Sequence, residues 1–166
     1  MAFQSTVNRF QPHGVVGEII RDGPTRAITG ILASTSAANN VVGRAFRHVA
    51  GNDTDVTSDS GVTVLPFAGI LVNPKVYATS GPVSGTLDPT LVLRNEEQVE
   101  LLEMGKIIVS LSTDAAIGEN VFYADDTGIL AAAPTDNLTG HQRIVGARVI
   151  ERNIGAAGLA IIALTY

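Results

Sequence analysis

The chain has 166 residues, 45% of them hydrophobic and 16% charged, which is too apolar for a disordered chain and enough for one domain burying about two thirds of its unfolded surface. It contains no Cys, no Trp and only five Phe and three Tyr, which excludes disulfides, thiolate catalysis and cysteine metal sites and argues against sugar- or base-stacking clefts. The net charge of −5 is uneven: residues 1–50 carry five Arg against Glu18 and Asp22, a net +3, and residues 51–166 carry six Lys/Arg against 14 Asp/Glu, a net −8.

From Met1 to about Ala38 the apolar residues Phe3, Phe10, Val15-Val16 and Ile19-Ile20 are separated by Pro12, Gly14, Gly17 and the turn Asp22-Gly23-Pro24. No helical period runs through them. The segment reads as an extended N-terminal arm, residues 1–38, ahead of a β-rich body, residues 39–166. An edge strand with its loops is the other reading. Beyond Asn39-Asn40 the pattern is one of short strands. Val41 to Val49 is β-branched at its start and carries Phe46, the clusters at 51–55 and 57–61 are polar turns, and Val62 to Leu65 and Phe67 to Val72 are strands broken by Pro66. Ala78 to Pro89, with two Pro and two Gly, is a loop.

Asn95 to Gly105 carries helix signals: a capping Asn95, Gln98 at the capping-box position, Glu96 and Glu97 at the positive end of the dipole, and Gly105 as a stop. The same residues also fit a turn at Arg94-Asn95-Glu96 between strands Leu91 to Leu93 and Val99 to Met104. Lys106 to Ser112 alternates, with Ile107, Val109 and Leu111 on one face. Val121 to Ala124 and Ile129 to Ala131 flank Asp125-Asp126-Thr127-Gly128, a hairpin with Gly at a positive-φ position. Val145, Ala147 and Val149 form one face of Arg143 to Glu151, and Leu159 to Leu164 is apolar on both faces, as in a central or subunit-contact strand. The expected fold is all-β with little helix: a compact β-barrel or β-sandwich, jelly-roll or tulip-like, with the arm attached. The longest nearly continuous apolar run, Ala156 to Leu164, is about half of a bilayer span. Met1 to Ser5 lacks a basic stretch followed by an apolar one. No membrane partner and no export by such a signal are expected.

Chemistry is sparse. His13, His48 and His141 lie apart, with no second His at a ligand spacing. Asp53-Thr54-Asp55 with Asp59 lacks the Gly and distant Glu of a calcium loop. Asp59-Ser60-Gly61 follows His48 too closely for a serine-protease triad. Adjacent Asp125 and Asp126 on a hairpin tip diverge into solvent, and Gly14 to Gly17 lacks the Lys and helix of a phosphate loop. No catalytic residue, metal, cofactor or small-molecule substrate is expected. The acidic body disfavours nucleic acid, which needs a dense basic face.

The opening Met1 to Asn8, the segments Asp22-Gly23-Pro24, Gly30 to Ser34 and Asn39 to Phe46, then Ala68 to Lys75 and Glu103-Met104-Gly105, resemble the structural cement proteins of tailed bacteriophages, and the hairpin Gly118 to Gly128 looks like a recurring element of head decoration proteins. The resemblance implies a non-enzymatic virion protein made in the host cytoplasm. It would sit on the outer surface of the icosahedral head at three-fold or quasi-three-fold positions, commonly as a homotrimer, and hold major capsid protein subunits together against the pressure of packaged DNA. The family has no catalytic motif to carry over. On this reading Phe3, Arg9, Phe10, Arg21 and Arg26 of the arm are the expected capsid contacts, the aromatics by burial and the arginines against acidic coat surface. Another virion structural role (tail tube, head completion or spike) is the runner-up, and a soluble β binding module or hydrolase the third reading.

Overall fold

The structure is a computed structural model and describes residues 14–59, 66–73, 92–151 and 158–165. Phe3, Arg9, Phe10, the expected strand Val62 to Leu65 and the expected loop Ala78 to Pro89 lie outside them. The described residues form ten strands and one 3-10 turn, Ala37–Asn39. In chain order the strands are β1 (Ile19–Ile20), β2 (Arg26–Leu32), β3 (Ala45–Val49), β4 (Asn52–Thr57), β5 (Phe67–Leu71), β6 (Gln98–Leu111), β7 (Asn120–Ala124), β8 (Leu130–Ala133), β9 (His141–Glu151) and β10 (Gly158–Leu164). The all-β barrel expectation holds.

The 14-residue strand β6 organises the molecule. Its C-terminal half pairs antiparallel with β10, from Leu111 opposite Gly158 to Gly105 opposite Leu164. β10 pairs with β9, β9 with β7, and β7 with β8. β8 returns to β6 through the parallel pair Leu111 and Leu130, closing a five-stranded barrel. The N-terminal half of β6 closes a second circuit: β2 runs along one edge, β5 meets the other at Leu101 and Leu102, and β3 and β4 complete the ring, with β2 and β4 parallel.

Alternation along the strands sorts side chains into two cores. Leu32, Phe46, Val56, Leu71, Val99 and Leu101 fill the second ring. Their sequence neighbours Ala45, Ile70 and Leu102 point the other way, into a core shared with Ile107, Val109, Leu111, Tyr123, Leu130 and Ile162. The wall made by β3, β5 and the start of β6 is therefore buried on both faces, which is why Phe67 to Val72 is apolar without alternation. β10 turns Ala160, Ile162 and Leu164 into the barrel core, whereas on its other face only Ile161 is buried and Leu159 and Ala163 are half-buried.

Some expectations change. Of the two readings of residues 95–105, the turn followed by a strand holds and the helix does not: Glu96 has φ 70°, and Gln98 starts β6. The cluster 51–55 is not a turn beyond Gly51, because Asn52 begins β4. Val145 leaves the face shared by Ala147 and Val149 and is 77% exposed. The β7–β9 register shifts between Asn120 opposite Arg148 and Phe122 opposite Arg143, so extra β9 residues bulge out and Ile144 takes the inward place.

The hairpin β7–β8 forms as expected, with Gly128 at φ 66°. A Cβ there would stand 2.3 Å from the Ala45 carbonyl oxygen, and the Gly128 carbonyl accepts from the Ala45 amide at 2.9 Å. The turn thus rests directly on β3 of the second ring. Gly128→Ala is expected to destabilise by about 2–4 kcal/mol, combining left-handed strain with overpacking against fixed backbone. Chemical denaturation checks it; an unchanged midpoint would contradict the tight contact.

Candidate interaction surface

Residues 19–32 show how the described part of the 1–38 segment sits. β1 pairs with Ile107 and Lys106, and β2 pairs with β6 from Met104 to Gln98. Arg21 is exposed just after β1. Arg26 opens β2, and its Nε lies 2.7 Å from the Glu103 carboxylate, with the two side chains 50% and 29% exposed. Lys106 reaches Asp22 at 2.5 Å. Exposed pairs of this kind contribute about 0–1 kcal/mol, so the ladder, more than the charges, holds this segment to β6.

The other described arginines of residues 1–50, Arg44 and Arg47, do something the charge count did not reveal. Arg47 is buried, its Nη2 donating to the carbonyls of Asp59 and Asp125, with its guanidinium 5.8 Å over the Tyr123 ring. The Asp59 carboxylate accepts from the Ser36 amide at 2.9 Å and from Asn39 Nδ2 at 2.8 Å. Asn95 donates to the Ser34 carbonyl at 2.7 Å and accepts from Asn40 at 2.8 Å. Arg44 Nη1 donates to Asn39 Oδ1 at 3.0 Å and to the Thr127 carbonyl at 3.2 Å. Burial holds the Arg44 pKa below its ordinary value. This network ties the 34–40 loop, the end of β4 and the β7–β8 tip together across the two rings. Its sequence signal was two arginines inside the otherwise apolar stretch Val41 to Val49, which must find acceptors once that stretch is buried. Residues 1–38 then carry Arg9, Arg21 and Arg26 against Glu18 and Asp22, only a net +1.

The candidate chemical groups do not converge. Asp53 and Asp55 lie on β4, Asp59 is engaged by Ser36 and Asn39, and His141 Nδ1 sits 3.0 Å from the Thr139 carbonyl. Among the described residues no group of His, Asp and Glu could hold a metal ion. A groove of about 660 Å³ lies where the rings meet, bounded by Val15, Val41, Arg44, Ser110, Leu111 and Ile129. Exposed large apolar residues are scattered: Val15, Ile31, Ile117 and Val145.

A family profile described as "Structural cement protein (E217 gp24/Pam3 gp6)" matches residues 3–165. The chain belongs to the phage structural cement protein family. It is also similar in fold to a chain from "The capsid of Myoviridae Phage XM1", with a TM-score of 0.64 and 18% identity over 99% of this chain and 98% of that one. No curated protein matches. Cement proteins are structural components of the phage capsid, which agrees with a molecule built around packed β rings.

Burial of Tyr123 raises its pKa above the usual 10.0; Arg47 opposes this and Asp125 adds to it. The phenol donates to Gln142 Oε1 at 2.8 Å. Because the folded state holds this proton more tightly, the stabilisation is complete below the unfolded pKa near 10 and is lost as pH rises through the folded value. Tyr123→Phe is expected to flatten the fall in stability above about pH 10, read by denaturant melts across pH; an identical alkaline slope in both proteins would refute the assignment. Arg47→Leu is expected to cost about 2–4 kcal/mol, since it strands buried carbonyls, measured by the same melts at neutral pH.

Proposed function

We propose that this cement protein binds the outer surface of the icosahedral head at three-fold or quasi-three-fold positions, as a homotrimer bridging major capsid protein subunits, and stabilises the expanded lattice against DNA pressure. The observation that carries this reading is the family match over almost the whole chain. A protein that recognises a site present only on the expanded lattice favours that lattice by mass action, about 2.7 kcal/mol per site at a hundredfold excess over Kd. Three linked copies add avidity, because the first contact raises the effective concentration of the others.

The N-terminal residues are the proposed coat contacts. Burying Phe3 and Phe10 contributes about 1.5–3 kcal/mol each, against an ordering cost of about 1–2 kcal/mol per residue for a free segment. Arg9 adds an attraction to acidic coat surface that salt screens over about 8–10 Å. Arg21 is exposed, and Arg26 exchanges its contact with Glu103 for one on the coat or keeps both.

The test is incubation with capsids of its own phage before and after expansion, followed by cryo-EM. Density at three-fold positions of expanded heads, absent from unexpanded ones, is the expected outcome. Density confined to the tail or to a single vertex would overturn the reading. Deleting residues 2–13, which spares β1 and β2, is expected to lower occupancy at least tenfold, whereas full occupancy would remove the arm from the mechanism.

A further inference from the structure

We propose that the groove between the two rings is a docking site for an extended segment of the coat protein carrying a carboxylate beside apolar side chains, with Arg44 as its anchor. The proposal deepens the cement reading and rests on it. The groove has a volume of about 660 Å³, within the range of pockets that enclose several side chains. Val15, Val41, Leu111 and Ile129 give it an apolar lining, and Val15 is 49% exposed.

Arg44 supplies the specificity. Its only acceptors among the described residues are neutral: the Asn39 side-chain oxygen and the Thr127 carbonyl, both bound by Nη1. Nη2 and Nε have no acceptor among those residues. The nearby carboxylate of Asp59 is held by Ser36 and Asn39 and forms no ion pair with Arg44. Arg26, Lys106 and Arg143 all have carboxylate partners at the surface. A half-buried guanidinium with no carboxylate partner among the described residues is complementary to an incoming carboxylate. A charge-assisted bond in this sheltered place is stronger than one on open surface. The occupant is thus a peptide segment with one acidic residue set among apolar ones, and the neighbour available to a capsid cement protein is the coat subunit.

The position to test is Ser110, which is exposed and lines the groove from β6. Purified protein variants are titrated onto expanded capsids, with thermal melts and sedimentation of the free protein measured in parallel. Ser110→Glu is expected to lower apparent affinity at least tenfold, Ser110→Lys to match or exceed the wild type, and Thr29→Glu, at an exposed position of β2, to change nothing. Arg44→Gln is expected to lose affinity as Ser110→Glu does. Should it also melt early, the paired Ser110 variants decide alone. Equal binding by Ser110→Glu and Ser110→Lys, whether full or lost, would overturn the carboxylate. A fall in the melting temperature of free Ser110→Glu would assign the groove to the chain's own segments, and a change in its sedimentation would assign it to a second copy. Either result overturns the coat occupant. Wild-type protein that fails to bind any capsid overturns the cement reading and this proposal together, whereas wild-type binding with unaffected groove variants overturns this proposal alone.

Discussion

Strand β6 belongs to two closed rings at once, and this double membership constrains nearly everything else. Its first half has β2 on one edge and β5 on the other, and its second half has β10 on one edge with β1 and then β8 on the other. Its side chains also feed both cores, Val99 and Leu101 one way, Leu102, Ile107, Val109 and Leu111 the other. A one-residue slip of β6 would turn each of these sets to the wrong side in both rings together. Register is therefore specified twice over, by two independent hydrophobic patterns on one strand. The partners come from residues 19–32, 67–71, 130–133 and 158–164, so most of the ordering entropy of the chain is lost before these distant pairings stabilise it, the regime of slow, non-local β folding.

The polar network across the rings answers a problem that the shared strand creates. Two barrels joined by one strand and one wall could rock about it. Arg47 and Arg44, reaching from β3 and the loop before it to carbonyls of the β7–β8 tip, fix the angle. These bonds contribute little net stability, because the same groups bond water when unfolded. Their removal is costly because it leaves carbonyls buried and unpaired. The network is not fully satisfied: Asn40 Oδ1, His48 Nδ1 and Asp125 Oδ1 are buried without partners among the described residues. Position is thus held at some cost in stability.

Legibility from sequence followed the locality of each signal. The β7–β8 hairpin was readable because its turn chemistry and both strands lie within Val121 to Ala131. The strand β10 was readable because Leu159 to Leu164 is apolar throughout, although only the face of Ala160, Ile162 and Leu164 enters the core. β6 was ambiguous because Asn95, Gln98 and the acidic pair Glu96-Glu97 mimic a helix start; the strand wins because Val99, Leu101 and Leu102 must reach two different cores, which only a pleated strand between two sheets allows. β4 was hidden because its outer residues Asn52 to Thr54 face water, leaving only Val56 and Thr57 fully buried. Val145 was misplaced because a bulge breaks a period of two without leaving a mark in composition. The polar network was least legible. Counting Arg44 and Arg47 toward a basic arm treated as mobile charge two side chains that the fold turns inward.

The same junction bears on how the molecule can engage a partner. Among the described residues each ring strand has a neighbour on both sides over part of its length, with β8 meeting β6 only at Leu130 and Leu111 and β4 meeting β2 only at Asp55 and Val56, so the edges left for a partner strand are short and interrupted. Recognition then falls to side chains and to segments outside the rings. Ile31, Ile117 and Val145 are exposed singly on different strands and loops, and isolated apolar residues of this kind are ordinary surface. Among the described residues, the groove where the rings abut brings together apolar walls, a concavity and a cation with no carboxylate partner. Because the Arg44 guanidinium is already tethered by Asn39 and Thr127, an incoming segment meets a group whose rotamer freedom was lost on folding, so less entropy is lost on binding.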